Sequence, residues 1–383
     1  MYDVVVIGGG PIGSYTAGKL ATLGYNTVVI EEHSRSGEAV CCTGIIGKEC
    51  VDRFPVDKGV ILNESRSAKF FAPSGRFLHM EKPSTQAYIV DRPAFDASMA
   101  VEARKQGAEY KYNTRVRNIT IRSDVATVEI ETSSKNIETR SIIIACGFHS
   151  HLCRRIGLGK LDYFAAGAQA DVDTEVDEVE VHFGRTRAPK FFSWLVPTSP
   201  GRGLVGLLSY HKPSPILREF LSYLHDQGKI GTPNVNIRYG GVPLKPLSRT
   251  YRERILVVGD AAGQVKPTTG GGIYYGLLSA SKAVETMDTA LTLNNFSTNI
   301  LSQYERAWKA SLTRELKLDR WARWIFERLS DRRMERVFEV VESRDIHHSL
   351  MEIPDFSFDW HRGLIMKGVK QAGPIGLIQL LRP

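Results

Sequence analysis

Two adjacent cysteines, Cys41 and Cys42, lie in the stretch EAVCCTGIIG, shortly after an apolar, strand-like segment. A loop at that place usually needs only glycine and polar residues. The thiols could be inert, form half of a disulfide, bind a metal, or face a cofactor. The chain has five cysteines, an odd number without CxxC spacing. That pattern argues against a disulfide framework and a zinc site, so we predict no metal, and it favours a reducing cytoplasm.

The elements that must position these thiols begin at the first residues. The segment YDVVVIGGGPIGSYTAGKLATLGYNTVVIEE predicts a strand, a glycine turn, a helix and a second strand. Gly8, Gly10 and Gly13 form the pattern G-x-G-x-x-G, which allows a tight turn, a close approach of pyrophosphate and a close helix–strand contact, respectively. The helix N-terminus would receive the phosphates. Glu31, which follows the second strand, is spaced to accept hydrogen bonds from the adenosine ribose.

A second motif distinguishes FAD from NAD. Residues 253–280, ERILVVGDAAGQVKPTTGGGIYYGLLSA, predict a buried strand that ends at Gly259 and Asp260, a glycine-rich turn, and a helix from about Ile273. This segment resembles the second FAD fingerprint of the glutathione-reductase-type flavoproteins, in which the aspartate binds the ribityl chain. The resemblance implies the same role for Asp260 and implies FAD as the cofactor.

Two further segments resemble elements of the same superfamily. IVDRPAFD, residues 89–96, is similar to the D-R-x-x-F-D element, whose arginine, here Arg92, lies near the cofactor. SIIIACGFHSHLCRR loosely matches the A-[TD]-G-x-x-S segment of the hydroxylase-like branch, with Gly147, Ser150 and Arg154 in place. The predicted cofactor-binding residues are Gly8, Gly10, Pro11, Gly13, Glu31, Glu32, Cys42, Gly44, Arg92, Gly147, Asp260, Pro267, Gly270, Gly271, Gly272 and Ile273.

The order of these motifs predicts the fold class: α/β, with a glutathione-reductase-type Rossmann-like FAD-binding domain, an inserted antiparallel β-sheet substrate domain and a helical C-terminal region. AKFFAPSGRFLHME alternates around Pro73-Ser74-Gly75 as a hairpin of the inserted domain. The predicted domains are 1–55, 85–160 and 240–290 for FAD, 56–84 and 161–239 for substrate, and 291–383 for the helical region.

A strand-like segment carries a finer resemblance. FFSWLVPTSPGRGLVGLLSY is similar to the Y-x-W-x-F-P motif of the geranylgeranyl reductase family, flavoproteins that saturate isoprenoid double bonds in archaeal lipids, chlorophyll side chains and quinone tails. Trp194 and Pro197 match, whereas Phe192 replaces tyrosine and Val196 replaces phenylalanine. These four residues are predicted to line an apolar channel for a polyprenyl substrate. The alternative is that they form the core of a sheet, as strand aromatics often do.

The cysteine loop also resembles that family, whose C-x-G loop lies beside the flavin, with Cys42-Thr43-Gly44 as the closest match. In an apolar site the thiol of Cys42 would stay protonated, because burial disfavours the thiolate. We therefore predict Cys42 as the catalytic proton donor, or as a packing group that shapes the flavin face. Cys41 should point to the opposite side, since adjacent residues of an extended chain alternate.

The resemblance implies an FAD-dependent oxidoreductase that acts on CH–CH groups, with a polyprenyl lipid as substrate. A flavin-dependent monooxygenase or halogenase acting on an apolar or aromatic substrate is the alternative, because the W-x-W-x-I-P motif of halogenases is close to FSWLVP. The electron donor stays open between NAD(P)H, ferredoxin and a deazaflavin. The exact prenyl substrate also stays open.

The chain of 383 residues carries 50 basic and 42 acidic residues, a net charge of +8. Zinc-finger spacing and aromatic RNA-binding boxes are missing, so nucleic acid is not an expected partner. No apolar stretch is long enough to span a bilayer, and the first residues do not form a signal peptide. The arginine-rich segment 303–336 predicts a helix. It either covers the other domains with a solvated basic face or lies with its basic and aromatic face on the inner surface of a cell membrane.

Overall fold

The computed structural model describes residues 1–38, 40–122, 124–131, 136–148, 151–353 and 357–381, with the side chains up to residue 371. In the first 150 residues its strands are β1 (Tyr2–Ile7), β2 (Thr27–Ile30), β3 (Ile45–Gly47), β4 (Ile61–Ser65), β5 (Ser67–Phe71), β6 (Phe77–Glu81), β7 (Ala87–Val90), β8 (Glu109–Lys111), β9 (Val116–Ile121), β10 (Ala126–Ile130) and β11 (Ile137–Ile144). The helices between them are α1 (Pro11–Thr22), α2 (Lys48–Arg53) and α3 (Arg92–Lys105).

The rest of the chain contains fewer strands and more helix. Its strands are β12 (Phe164–Asp173), β13 (Val179–His182), β14 (Ser193–Ser199), β15 (Arg202–Ser209), β16 (Ile237–Pro243), β17 (Tyr251–Arg252) and β18 (Ile255–Val257). Its helices are α4 (Leu152–Arg155), α5 (Pro213–Asp226), α6 (Ile273–Thr292), α7 (Thr298–Phe326), α8 (Asp331–Ser343), α9 (Ile346–Met351) and α10 (Arg362–Leu381).

The first sheet has the strand order β17-β18-β11-β1-β2-β8, with β9 and β10 attached through β11. Strands β18, β11, β1, β2 and β8 are parallel to one another. Val4 to Ile7 are buried on both faces, as expected for a parallel strand that helices cover. Gly18 lets α1 approach α3, since a Cβ there would lie 3.0 Å from Ala103 Cα. This sheet is the predicted Rossmann-like unit.

The second sheet has the order β16-β12-β15-β14-β13-β5-β6 and is antiparallel except for the parallel pair of β13 and β5. The predicted hairpin around Pro73-Ser74-Gly75 is confirmed as the β5–β6 pair. Helix α5 is buried along Leu217, Phe220, Leu221 and Leu224, which pack in one core with residues of β12, β14 and β15. Strand β16 crosses the predicted domain boundary at residue 240 and belongs to this sheet.

The third sheet, β3-β7-β4, is small and carries the residues that follow the cysteine loop. Beyond it, α6 to α10 form the helical C-terminal region. The helix predicted over 303–336 is interrupted: α7 ends at Phe326, and α8 begins after Ser330, whose hydroxyl accepts a hydrogen bond from Arg333 N–H. Within the described residues, none of the helices combines the length and apolarity needed to cross a bilayer.

Candidate functional site

A cavity of about 490 Å³ opens where β1, β2, β11 and β18 end. Parallel α/β sheets bind their ligands at this edge, outside the carboxyl ends of the strands. All four predicted motifs contribute to its wall, although they are far apart in the sequence. The predicted cofactor residues in the wall are Gly8, Gly10, Pro11, Glu31, Glu32, Cys42, Arg92, Gly147, Asp260, Gly270, Gly272 and Ile273.

The three glycines of the motif between β1 and α1 have three different structural roles. Gly8 has a φ of +106°, and a Cβ there would lie 2.5 Å from Ala145 O. A Cβ on Gly13 would lie 2.0 Å from Gly8 O, so this residue brings α1 onto the strand and lies outside the cavity wall. A Cβ on Gly10 would meet nothing within 4 Å. The space beside Gly10 is therefore free for a ligand, as a pyrophosphate requires.

Glu31, at the end of β2, has two functions in the structure. Its Oε2 accepts a hydrogen bond of 2.7 Å from Gly9 N–H, and its Oε1 accepts one of 3.0 Å from His33 N–H. The carboxylate thus fixes the glycine loop while it lines the cavity. Glu32 lies further out, in an ion pair with Arg115 whose Nε–Oε2 distance is 3.2 Å.

The aspartate of the second motif lies in the cavity wall at the start of a 3₁₀ turn after β18. Burial raises the pKa of Asp260 to about 6, and the nearby charge of Arg92 opposes this rise. Within the described residues no donor reaches its carboxylate. Gly272 makes room for it, since a Cβ there would lie 2.5 Å from Asp260 Oδ1. A buried acceptor that faces a cavity fits a ligand with hydroxyl donors, such as a ribityl chain.

Arg92 and Cys42 face the cavity together. Arg92 is the first residue of α3 and donates a 2.7 Å hydrogen bond from Nη2 to Asp96 Oδ1. Burial opposes the charge on Arg92, but Asp96 and then Cys42 raise the pKa of the guanidinium above its ordinary value. Its Nε is buried and has no partner among the described residues. The wall therefore holds a fixed positive charge beside a cysteine sulfur.

The cysteine loop is held from both ends. Gly44 has a φ of +78°, and a Cβ on it would lie 2.3 Å from Val90 O, so the conformation requires glycine although the residue is outside the cavity wall. Its N–H donates to the sulfur of Cys42 at 3.5 Å. Thr43 Oγ1 donates to Gln169 Oε1 at 2.9 Å, and Gln169 Nε2 donates to Cys42 O at 3.3 Å. The loop is thereby attached to β12 of the second sheet.

The prediction that Cys41 points away from the cavity is wrong, because both cysteines line it. The sulfur of Cys41 lies against β16, 3.4 Å from the place where Gly240 would carry a Cβ. Burial raises the pKa of Cys41 to about 11. The extended-chain argument fails because the two residues lie in a loop that no strand pairing straightens.

The four predicted substrate residues on and before β14 lie outside the wall of this cavity. Trp194 and Val196 pack with Ile45 and Ile89 of the third sheet, next to the cysteine loop. The Trp194 ring lies over Gly206 of β15, where a Cβ would come within 2.5 Å of it. The indole Nε1 is buried without an acceptor among the described residues.

Phe192 and Pro197 complete this face at its two ends. The Phe192 ring lies 6.0 Å from that of Trp194 and 6.1 Å from that of Phe183. Pro197 is buried, and its carbonyl faces Asn63 Nδ2 of β4 at 3.5 Å. The face is thus an apolar, well-packed surface beside the cysteine loop.

Pro267 and Gly271 also lie outside the cavity wall. Pro267 is buried, and its carbonyl accepts a hydrogen bond from Arg323 of α7. Gly271 packs against the Lys266 side chain, which a Cβ would approach within 2.8 Å. Lys266 forms an ion pair of 2.9 Å with Asp359, and both side chains are 3% exposed. The C-terminal segment that contains Asp359 therefore packs against the second FAD motif on the side away from the cavity wall.

Several residues of the site were not predicted from the sequence. Asp96, Cys41, Gln169 and the Lys266–Asp359 pair belong to this set. Gln169 had a signal: it is a polar residue in the middle of the apolar strand FAAGAQADVD, and it is 2% exposed. Of the loosely matched segment after β11, Arg154 is exposed on α4 and outside the cavity wall, whereas Ser150 lies outside the described residues.

The sheet topology and the cavity define a Rossmann-type oxidoreductase that binds a flavin. Residues 2–179 match the family model described as pyridine nucleotide-disulphide oxidoreductase. A digeranylgeranylglycerophospholipid reductase from Methanocaldococcus jannaschii is 31% identical over 362 residues, which cover 90% of this chain and 92% of the relative. One from Methanothermobacter thermautotrophicus is 30% identical over 372 residues, 90% of this chain and 93% of the relative. The chain belongs to the digeranylgeranylglycerophospholipid reductase family.

Solved structures confirm the predicted fold class. A geranylgeranyl bacteriochlorophyll reductase-like protein from Thermoplasma acidophilum is similar with a TM-score of 0.87 at 23% identity, covering 99% of this chain and 98% of that one. The halogenase PltM in complex with phloroglucinol and FAD has a TM-score of 0.68 at 15% identity, covering 92% of this chain and 84% of that one. At such identities the likeness shows the fold alone.

Proposed function

We propose that this protein is an FAD-dependent reductase that saturates C=C double bonds of a polyprenyl lipid of the geranylgeranyl type. The observation that carries the proposal is the position of Cys42. Cys42 lines the nucleotide cavity, its side chain interacts with that of Arg92, and its loop is bonded to the second sheet through Gln169. A proton donor at that place serves a redox cofactor on one side and an apolar substrate on the other.

The described residues fit FAD in particular. The open space at Gly10 suits the pyrophosphate, and the N-terminus of α1 adds N–H donors there. Asp260 offers the ribityl hydroxyls a half-buried carboxylate that has no donor among the described residues. Glu31 and Glu32 line the same cavity and offer carboxylates to the hydroxyls of an adenosine ribose. These features together suit an elongated ligand with two phosphates and several hydroxyl groups.

The chemistry of the reaction assigns few tasks to the protein. FAD, when bound and reduced, supplies a hydride to one carbon of the alkene. An isolated alkene has no carbonyl to polarise, so the chain must orient the substrate and deliver a proton to the other carbon. Cys42 gives up its S–H proton, and solvent later restores it. The guanidinium of Arg92 stabilises the thiolate that remains in between, since opposite charges attract strongly where water is excluded.

The lipid and its partners follow from the same assignment. Phe192, Trp194, Val196 and Pro197 form an apolar wall for the prenyl chain, and their packing beside the cysteine loop supports this role. A reductant must recharge the flavin, and NAD(P)H, ferredoxin and a deazaflavin are the candidates. We place the protein in the cytoplasm, in peripheral contact with the inner face of the cell membrane, because its substrate resides there.

An anaerobic mixing experiment tests the function. The bound flavin is reduced with dithionite, and the enzyme is mixed with a phospholipid that carries geranylgeranyl chains. We expect reoxidation of the flavin together with saturation of the chains, and no reoxidation with the same phospholipid carrying phytanyl chains. A flavin that is reoxidised only by oxygen, with a hydroxylated or halogenated product, would instead support the monooxygenase or halogenase alternative.

A further inference from the structure

One face of α7 carries an exposed stripe that the fold does not use. Its members follow each other at intervals of three or four residues, so they lie in one row along the helix. This basic–aromatic stripe consists of Arg314, Lys317, Trp321, Trp324 and, just after the helix end, Arg328, all of which are exposed. None of these five side chains belongs to a hydrophobic core of the described residues.

The stripe has positive charge that the chain does not neutralise. Within the described residues no ion pair involves Arg314 or Lys317, and the guanidinium of Arg328 lies 4.0 Å from the Trp324 ring. The acidic residues of the same segment are turned inward or paired elsewhere; they are Glu305, Glu315, Asp319 and Glu327. The stripe is therefore complementary to an anionic surface.

The aromatic members of the stripe are unusual for this chain. Trp321 is 44% exposed and Trp324 is 54% exposed, whereas the other three tryptophans of the chain are buried or half-buried. Tryptophan next to arginine and lysine is typical of helices that lie at the interface between lipid head groups and acyl chains. The side chains would enter this interface while the helix stays parallel to it.

Helix α10, which begins beside α7, carries a second exposed row. Its first N–H, at Arg362, donates a 3.0 Å hydrogen bond to Glu315 Oε2 of α7. From there Arg362, Met366 and Lys370 are exposed at intervals of four residues, again basic with one apolar member. Two adjoining helices thus present the same chemistry.

The stripe also ends near the predicted substrate face. Phe326, the last residue of α7, lies 5.6 Å from the Phe183 ring, which in turn lies 6.1 Å from Phe192. Aromatic contacts therefore connect the C-terminal end of α7 with Phe192, the residue before β14.

We propose that the basic–aromatic stripe of α7, with the exposed row of α10, docks the protein on a bilayer rich in anionic phospholipid. This inference deepens the proposed function, since it names the surface through which a lipid reductase meets its substrate membrane. The docking itself depends only on the stripe and not on the reaction.

Vesicle sedimentation tests the docking separately from catalysis. The probes are vesicles of diphytanoyl phosphatidylcholine and vesicles of an equal mixture with diphytanoyl phosphatidylglycerol, whose saturated chains offer no double bond to reduce. The flavin-loaded protein should bind the anionic vesicles far more strongly, and added salt should release it. Arg314→Gln with Lys317→Gln should weaken the partition coefficient by roughly 25-fold, at about fivefold per charge.

The matched variants separate this surface from general charge effects. Lys212→Gln with Arg218→Gln removes two exposed charges near α5 and should leave binding within about twofold. Trp321→Ala with Trp324→Ala should reduce binding by about tenfold and abolish quenching of tryptophan fluorescence by brominated lipid. Equal losses in the two charge variants, or unchanged binding in the tryptophan variant, would overturn the proposal. Failure of the anaerobic reduction assay would leave these results unaffected.

Discussion

The nucleotide cavity and the β14 face both adjoin the cysteine loop, but they are fixed by different physical constraints. In the cavity a Cβ at Gly8 or Gly13 would collide with backbone atoms, and the half-buried Asp260 carboxylate has no donor among the described residues. On the β14 face Trp194 and Val196 are held by apolar packing alone. The residue types in the cavity are therefore best explained by a bound ligand. The residue types on the β14 face are equally well explained by the packing of an ordinary sheet core.

The largest expected effect concerns the junction between the two regions. Cys42→Ala should leave flavin binding and dithionite reduction intact but slow alkene-dependent reoxidation by about 10²- to 10⁴-fold, because a general acid is lost. Stopped-flow absorbance of the flavin measures this step. Cys42→Ser should also be slow, since a hydroxyl is a much weaker acid than a thiol.

Cys41→Ala is the matched control for that experiment. Its sulfur packs on β16 at Gly240, and burial raises its pKa to about 11. It should change the reoxidation rate by less than about threefold, the size of a packing effect. If both alanine variants reoxidise at the parental rate, neither thiol takes part in the chemistry, and the proton comes from water or another residue.

A pair of glycine variants tests the geometric constraints in the nucleotide cavity. Gly10→Ala should leave the apoprotein as stable as the parent, because its Cβ would enter open space, yet it should weaken FAD binding by roughly 100-fold through a clash with the pyrophosphate. Gly13→Ala should destabilise the apoprotein as well, since its Cβ would lie 2.0 Å from Gly8 O. Urea unfolding and FAD titration separate the two outcomes. Full FAD affinity in Gly10→Ala would contradict our placement of the pyrophosphate.

Asp260 should make the stability of the apoprotein depend on pH, and the sign of this dependence can be derived. Burial raises the pKa of Asp260 from its ordinary value of 3.8 to about 6, despite the opposing charge of Arg92. As the pH rises, the Asp260 carboxyl therefore loses its proton at a lower pH in the unfolded chain than in the folded protein. The free energy of unfolding of the apoprotein should fall by roughly 3 kcal/mol between about pH 4 and about pH 6.

Asp260→Asn should remove this contribution and raise the free energy of unfolding of the apoprotein at pH 7, while weakening FAD binding. Urea unfolding from pH 4 to pH 8 measures the first effect, and Asp162→Asn, at an exposed position, is the control. An Asp260→Asn apoprotein that retains the parental pH dependence would show that another group causes it.

The sequence predicted most of the fold and most of the motif residues that line the cavity, for reasons that particular residues make clear. Gly13 and Asp260 belong to short motifs whose spacing encodes the strand, the turn and the helix that follow. The Lys266–Asp359 pair joins residues 93 positions apart, and no local pattern reports such a contact. The hydrogen bond from Gln169 to the cysteine loop also joins residues that are far apart in the sequence, so it could not be predicted either. The orientation of Cys41 depended on loop geometry, which alternation rules do not describe.

The smallest expected effect tests whether the β14 face binds substrate or only packs. Trp194→Phe removes the indole N–H, which has no acceptor among the described residues, so the lost contact area is partly offset and the free energy of unfolding should change by less than about 1 kcal/mol. Turnover of long prenyl substrates should nevertheless fall several-fold, because the ring that shapes the channel becomes smaller. Chemical unfolding and steady-state rates with short and long prenyl lipids measure the two quantities.

Phe191→Leu is the matched variant on the same segment. Phe191 is fully buried, with the guanidinium of Arg323 3.6 Å from its ring, and belongs to the core behind the sheet. It should lose about 1–2 kcal/mol of stability and keep the parental preference for prenyl length, because it contacts no substrate. The two variants should thus show opposite patterns, one losing turnover and the other stability. If Trp194→Phe loses stability in the same way as Phe191→Leu and keeps its turnover, the β14 face is sheet core, and the prenyl chain must bind against another surface.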